Sequence, residues 1–375
     1  MAKNVNICDV CTEIFAGGDA PKGRISKTRT EKFAIPIYSN GEENAGLYGF
    51  TDVSRVNVPS VTVSARGTIG YAAIRTEPFV PIVRLITLVP DESKIDIKYL
   101  YYAVQNYQFE GSGTSIPQLT VPMLKKYNFT LPTKEVQKNV VSALDKVNAL
   151  IALRKEQLAK LDELVKARFV EMFGDLEHTV FPKCKMAEIA DIKHGYAFSG
   201  EFFTEEDNNI LLVTPGNFKI GGGFQEKKCK FYTGEYPDEF ILHSGDLIVT
   251  MTDLSKRMDT LGYAAIVPQT ERVYLHNQRI GLFINISNLI NKTFMMHFMQ
   301  TNDYRDKVVA SSTGSTVHHT SPTKILDCEI FVPPIELQSK FASFVEQTDK
   351  TKLTIQASLD KLEVMKKALM QEYFG

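Results

Sequence analysis

The chain has 375 residues, 43% of them hydrophobic, and its 43 basic and 44 acidic side chains leave a formal net charge of −1. That length and apolar content predict two or three domains with real cores and exclude a disordered chain. The balance also excludes binding of nucleic acid through bulk positive charge, so any such binding has to come from local patches.

The charge is unevenly spread. Residues 1–132 hold 14 basic and 12 acidic side chains, residues 133–175 hold 8 and 7, residues 176–333 hold 15 and 19, and residues 334–375 hold 6 and 6. No run of 18 apolar residues occurs and the segment Met1–Val10 lacks a signal-peptide profile, so a cytoplasmic protein is expected. The five cysteines fit a reducing compartment. Cys8 and Cys11 form a lone C-x-x-C, while Cys184, Cys229 and Cys328 are scattered, which gives no four-ligand zinc set and no expected metal. Cys8 and Cys11 are expected one turn apart on a short helix.

In chain order, an apolar-spaced segment from Ile7 to Ile14 leads to the turn Gly17-Gly18 and a basic stretch with Lys22, Arg24, Lys27, Arg29 and Lys32. Its loose counterpart is Met186 to Ile192 followed by His194-Gly195-Tyr196. Strands are predicted at Ile35–Tyr38, Val61–Ser64, Gly70–Ile74 and Arg84–Val89, where β-branched residues lie between Gly, Pro and Asn punctuation. Asp96–Tyr107 reads as a helix. In the second half, Ile210–Val213 and Asp246–Thr250 read as strands, and a helix begins at Thr293. The strand Gly70-Tyr71-Ala72-Ala73-Ile74 recurs intact as Gly262-Tyr263-Ala264-Ala265-Ile266.

Two long heptad stretches stand out. Glu135–Phe173 is echoed by Glu336–Phe374 at an offset of 201 (336 − 135), and Gly113–Gly174 aligns without a gap to Gly314–Gly375 with 13 identities in 62 positions. Roughly four identities are expected by chance at typical residue frequencies. Val140, Leu144, Val147, Ile151, Leu158, Leu161 and Val165 form one apolar stripe. Phe341, Val345, Ile355, Leu359, Leu362 and Leu369 form the other. A period near 3.5 puts each set on one helix face and favours a two-helix supercoil. Chain order makes the pair antiparallel, and a helix of this length reaches ~58 Å. The fold class is therefore α+β: two β-rich globular halves, residues 1–132 and 176–333, separated by long helical spacers at 133–175 and 334–375.

Catalytic signatures are lacking. Neither glycine cluster (Gly17–Gly23, Gly221–Gly223) matches a phosphate-binding pattern. Val332-Pro333-Pro334-Ile335 lacks the polar and aromatic ends of an amino-methyltransferase motif. Pro90-Asp91 with Asp96-Ile97-Lys98 is too tightly spaced for a nuclease site, and His318-His319 has no acidic or cysteine partners nearby. Two similar, non-identical modules held at a set interval suit the reading of two short stretches of a long target such as DNA. The alternatives are a scaffold whose modules bind proteins and an enzyme whose site spans both halves.

The paired helix lead-ins Leu131-Pro132-x-x-Glu135-x-Gln137 and Val332-Pro333-x-x-Glu336-x-Gln338, the paired Lys-Leu and Phe-Gly helix ends and the paired GYAAI strands carry a resemblance. Over essentially its whole length the chain resembles the specificity subunit of a type I restriction–modification system. The resemblance implies two target-recognition domains, each reading one half of a bipartite site on double-stranded DNA, with helices that set the spacing. It implies no catalytic activity and no cofactor in this chain. S-adenosylmethionine, ATP and magnesium belong to its partners, two modification (methyltransferase) subunits and the restriction (translocase and nuclease) subunits. The residues favoured for DNA contact are Lys22, Arg24, Lys27, Arg29, Arg66, Tyr38 and Asn40 in the first domain. In the second they are Lys227, Lys228, Lys230, Lys256, Arg257 and Arg279.

Overall fold

A computed structural model describes residues 3–107, 118–227 and 229–375. The chain divides into two compact units, residues 1–156 with 356–375, and residues 157–355.

Unit one contains β1 (Lys3–Asn6), β2 (Cys11–Ala16), β3 (Ile35–Tyr38), β4 (Leu47–Thr51), β5 (Ser60–Val63), β6 (Ala72–Arg75), β7 (Val80–Pro81) and β8 (Ile86–Pro90). Helices α1 (Ile97–Asn106) and α2 (Val121–Leu124) follow, then β9 (Asn128–Leu131) and the start of α3 (Lys134–Phe173). Its main sheet is antiparallel with order β2-β8-β5-β6, a smaller sheet runs β4-β3-β7, and β1 pairs with β9.

Unit two contains β10 (Lys183–Lys185), β11 (Asp191–His194), β12 (Phe203–Thr204), β13 (Ile210–Val213), β14 (Lys230–Tyr232), β15 (Ile241–Leu242), β16 (Leu247–Thr250) and β17 (Thr252–Asp253). It continues through β18 (Ala264–Ile266), β19 (Val273–His276), β20 (Ile280–Ile284), α4 (Lys292–Phe298), α5 (Asn302–Ala310), β21 (His318–His319), α6 (Pro322–Leu326), β22 (Glu329–Phe331) and the start of α7 (Ile335–Phe374). The main sheet, β11-β20-β16-β18, repeats the order seen in unit one, and the recurring GYAAI segments are the equivalent edge strands β6 and β18. The second sheet is larger here, β12-β14-β13-β19-β15, yet β13 and β19 pair in parallel just as β3 and β7 do.

The two long helices begin within a residue of their predicted starts and are half-owned by each unit. The core of unit one takes Val140 and Leu144 from the start of α3 and Met370 and Phe374 from the end of α7. The core of unit two takes Phe341 and Val345 from the start of α7 and Phe169 and Phe173 from the end of α3. Shifting by 201 converts one set into the other (140 + 201 = 341, 169 + 201 = 370). Within unit one, Lys155 pairs with Glu363 at 3.2 Å while Phe374 stacks 4.9 Å from Tyr99 in the core that holds Val140, so the segments run antiparallel. In unit two, Asp162 pairs with Lys352 at 2.6 Å and Phe169 lies 5.4 Å from Phe341, which gives the same sense.

Every predicted seam residue is shielded. Val140, Leu144, Val147, Val165, Phe341, Val345 and Leu359 are buried, and Ile151, Leu158, Leu161, Ile355, Leu362 and Leu369 are half-buried. Two polar residues that fall in phase with the stripes find partners: Thr348 donates to the Phe344 carbonyl at 2.9 Å, and the Arg168 guanidinium lies 5.9 Å over the Phe344 ring.

The repeated glutamine has a structural role. Gln137 accepts from the Asp96 amide (2.8 Å) and donates to the carbonyls of Lys94 (3.1 Å) and Pro132 (3.0 Å). Gln338 accepts from the Asn291 amide (2.9 Å) and donates to Leu289 (2.9 Å) and Pro333 (2.7 Å). Asp96 and Asn291 cap α1 and α4 through their side chains. Each glutamine thus ties a capped domain helix to the lead-in of a long helix.

The cysteine pair departs from expectation. Cys8 lies on a single 3₁₀ turn, Ile7–Asp9, and Cys11 begins β2, so they do not share a helix. Val10 ends the turn, and burial of Cys11 pushes its thiol up to about 12. No helix of the described residues is long and apolar enough to cross a membrane.

Candidate nucleic-acid interface

In both units one end of the main sheet gathers cations, exposed or half-buried, on loops that the scaffold holds tightly. In unit one the connection from β7 to β8 passes through Val83 and Arg84, both exposed and both left-handed (φ 52° and 64°). A β-branched residue pays strain for that conformation, so its surroundings must impose it. The Val83 and Arg84 amides donate to the carbonyls of Gly18 (2.8 Å) and Gly17 (3.1 Å), and the Gly17 amide donates to Leu85 (2.8 Å). A Cβ on Gly17 would sit 2.7 Å from the Pro81 carbonyl, which explains the glycine. Unit two repeats the device. The Tyr196 amide donates to His276 (2.8 Å), the Gln278 amide donates to Tyr196 (2.9 Å), and a Cβ on Gly195 would lie 2.2 Å from the Asn277 oxygen. The loose sequence match of Gly17-Gly18 to Gly195-Tyr196 is therefore a structural equivalence.

Arg66 lies on the β5–β6 hairpin, where its Nη2 donates to Gln118 Oε1 at 2.9 Å and its Nε at 3.3 Å. Arg84 Nη1 reaches the same oxygen at 3.5 Å. Two guanidinium groups and one amide thus share a small surface. Asn40 underpins it by donating to the Val83 carbonyl (2.7 Å) and accepting from the Ala65 amide (2.7 Å). Its side-chain amide bonds backbone on two loops and so braces this surface. Arg84 and Gln118 were missed by sequence reasoning. Arg84 was absorbed into a predicted strand, whereas β8 starts at Ile86. The only hint at Gln118 was its alignment with His319.

In unit two the β16–β18 connection carries Lys256 and Arg257, and the β19–β20 connection carries Arg279. All three are exposed, and none has a side-chain hydrogen bond or ion pair with another described residue. Asp253 organises the first loop, accepting from the amides of Ser255 (2.6 Å), Thr260 and Leu261 (3.1 Å) and from the Thr260 hydroxyl (2.7 Å). Burial alone would raise its pKa, but the donated hydrogen bonds outweigh that and hold the carboxyl below its usual range. His319 Nδ1 lies 3.1 Å from Thr252 Oγ1, beside the same loop.

The remaining predicted contacts are distributed elsewhere. Arg24 makes two 2.8 Å bonds to Asp52, which also hold that carboxyl below its ordinary pKa, and Arg29 pairs with Glu77 at 3.0 Å. Lys27 sits 4.2 Å over the Tyr48 ring, and the Arg75 guanidinium covers Tyr38 at 3.6 Å. These four have neighbours that engage them, although Arg24, Lys27 and Arg29 are exposed, as are Lys22 and Lys227. Lys230 lies 5.7 Å over Phe203, and Lys228 falls outside the described residues. Among the described residues no group of three or more His, Cys, Asp or Glu side chains is placed to hold a metal ion.

A family model described as the type I restriction modification DNA specificity domain matches residues 2–163 and 181–364, one copy over each half. The chain belongs to this family. It is 33% identical over 167 residues to the Mycoplasma pneumoniae protein named as type I specificity subunit S.MpnORF89P, covering 42% of this chain and 49% of that one. It is 23% identical over 309 residues to the specificity subunit of the type I restriction enzyme MjaVIII of Methanocaldococcus jannaschii, covering 76% and 71%. The alignment thus spans about half the length of the M. pneumoniae relative. The crystal structure of a type I restriction-modification S subunit from M. genitalium shares the fold, with a TM-score of 0.59 at 17% identity, covering 100% of this chain and 96% of that one.

Proposed function

We propose that this protein is the non-catalytic, sequence-reading subunit of a type I restriction–modification complex, in which each unit reads one half of a bipartite site on double-stranded DNA. The observation that carries this is the repeated sheet end, where the same scaffold offers Arg66 and Arg84 in one unit and Lys256, Arg257 and Arg279 in the other. Cations on braced loops with no acidic partner among the described residues suit phosphates and base edges, and unlike side chains on like scaffolds suit unlike half-sites.

Helices α3 and α7, whose residues pass from one unit to the other, set the interval between the half-sites. Their outward apolar residues, among them Leu153, Leu164, Leu353 and Val364, are about half exposed or more and supply docking surface for two methyltransferase subunits. Restriction subunits complete the assembly. S-adenosylmethionine, ATP and magnesium are carried by those partners, and the complex works in the cytoplasm. The test is to co-express the chain with its cognate methyltransferase subunit and map methylated adenines by single-molecule sequencing. A split motif with a fixed gap is expected. Unmodified DNA from an assembled, active complex refutes the reading.

A further inference from the structure

The two main-sheet hairpins close in the same way over loops of different length. In unit one the Ser64 amide donates to the Tyr71 carbonyl (2.8 Å) and the Gly70 amide to Ser64 (3.0 Å). In unit two the Thr250 amide donates to Tyr263 (3.1 Å) and the Gly262 amide to Thr250 (2.8 Å). Residues 65–69 lie inside the first closure and 251–261 inside the second, six more (11 − 5). The neighbouring chain also docks alike, since the Leu119 amide donates to Ala65 and the Thr320 amide to Met251, both at 2.9 Å. The added residues are therefore an insertion at a defined point of a common scaffold.

The insertion is built to be rigid. Besides the Asp253 bonds, the Asp259 amide donates to Ser255 Oγ (2.9 Å), Arg305 Nη2 donates to the Met258 carbonyl (2.9 Å), and Ser312 Oγ lies 3.3 Å from Met258 Sδ. Met258 is held left-handed, at φ 54°. On this frame Leu254 stands 65% exposed, between the buried Asp253 and the free cations Lys256 and Arg257. A leucine this exposed adds little to folding, whereas an apolar side chain flanked by cations suits a DNA groove. There it can meet a thymine methyl or wedge at a base step while the cations hold phosphates.

We propose that the 253–261 loop is the element that sets sequence preference in unit two, with Leu254 as its apolar reading group and Lys256 and Arg257 as its phosphate anchors. This rests on the DNA-reading function proposed above and assigns the groups that perform it.

The experiment uses the full chain assembled with its methyltransferase subunit, with methylated adenines mapped across a genome. Arg66→Ala first identifies the half-motif read by unit one. Leu254→Ser is expected to relax one position of the other half, or to lower methylation of the native motif roughly tenfold, as for loss of one base contact. Lys256→Ala combined with Arg257→Ala is expected to reduce methylation of every site without changing the motif. Leu254→Met, which keeps an apolar tip, is expected to retain the motif. An unchanged motif and methylation level in Leu254→Ser overturns the assignment, as does damage to both half-motifs together with a lowered melting temperature. A wild-type complex that yields no split motif overturns the DNA-reading function itself, a result separable from failure of Leu254 alone.

Discussion

Replacing Gln338 by leucine tests whether the paired glutamines hold each domain helix to the long helix beside it. Gln338 is fully buried and satisfies three backbone groups: the Asn291 amide and the carbonyls of Leu289 and Pro333. Leucine of similar size leaves all three without that partner inside the protein. At about 1–2 kcal/mol per orphaned buried group the gross cost is roughly 3–6 kcal/mol. Burial of a more apolar side chain returns about 1–2 kcal/mol. The net loss is therefore about 2–4 kcal/mol, a large share of a typical ~5–15 kcal/mol stability. Urea unfolding followed by far-ultraviolet circular dichroism is expected to show a midpoint lowered by about 1–2 M at a slope near 2 kcal/mol/M. Gln137→Leu, with its equivalent three bonds in unit one, is expected to match this within about 1 kcal/mol. Gln347→Leu, on an exposed face of α7, serves as control and is expected to stay within ~0.5 kcal/mol of wild type. If Gln338→Leu also stays within that margin, the reasoning about these bonds is wrong.

Burial holds His276 and His297 at about 4, below the ordinary 6.5, with nearby lysines pushing the same way. Their contribution is complete above about pH 6.5 and is lost as pH falls toward 4, reaching about 3 kcal/mol each. Unfolding between pH 7 and 4.5 is expected to show a shallower loss in a His297→Phe variant, and an unchanged slope would rule that histidine out. Arg66→Ala is expected to relax one base of the first half-site by ~1–3 kcal/mol if it reads an edge, or to weaken all sequences alike if it holds a phosphate. Unchanged binding and selectivity remove it from the interface. DNA affinity of the assembled complex is expected to fall steeply between 50 and 200 mM salt, by about 10³-fold or more for six or more phosphate contacts, and a flat titration would point to an apolar protein interface instead. Gly195→Ala is expected to destabilise unit two, because its Cβ meets the Asn277 carbonyl at 2.2 Å, and a wild-type melting temperature would show that this strand can shift.

What could be read before the structure divides along a physical line. The long helices were legible nearly to the residue because a strict 3.5 period over 40 residues leaves little freedom in where apolar side chains go. The GYAAI strands and the Gln137–Gln338 pair were legible as repeats. The glutamines' role was not, because their partners at Asp96 and Asn291 lie more than 40 residues away along the chain. The partners of the candidate interface residues were hidden for the same reason. Arg24 and Arg29 form a basic run in sequence, but the fold brings Asp52 and Glu77 to them from 28 and 48 residues away. Asn40 is named among the expected DNA contacts, and its bonds to Val83 and Ala65, 43 and 25 residues away, which link two loops, are invisible in the sequence.

The free cations show what local composition conceals. Lys256, Arg257 and Arg279 lie in the more acidic half of the chain, where the summed charge argues against DNA contact. Some acids of that half are engaged: Asp207 and Glu226 hold Arg272, Asp327 and Glu239 pair with lysines, and Asp253 turns inward to backbone amides. Lys256, Arg257 and Arg279, by contrast, have no acidic partner among the described residues. Net charge sums over the whole surface and carries no positions, so a half with a negative sum can still present a local cluster of cations. For a protein built by duplication this is also economical for its evolution. The cap, the glutamine tie and the hairpin closure can stay fixed while a loop such as 253–261 gains six residues and a new side chain at its tip, because none of the bonds that hold the scaffold passes through Leu254, Lys256 or Arg257.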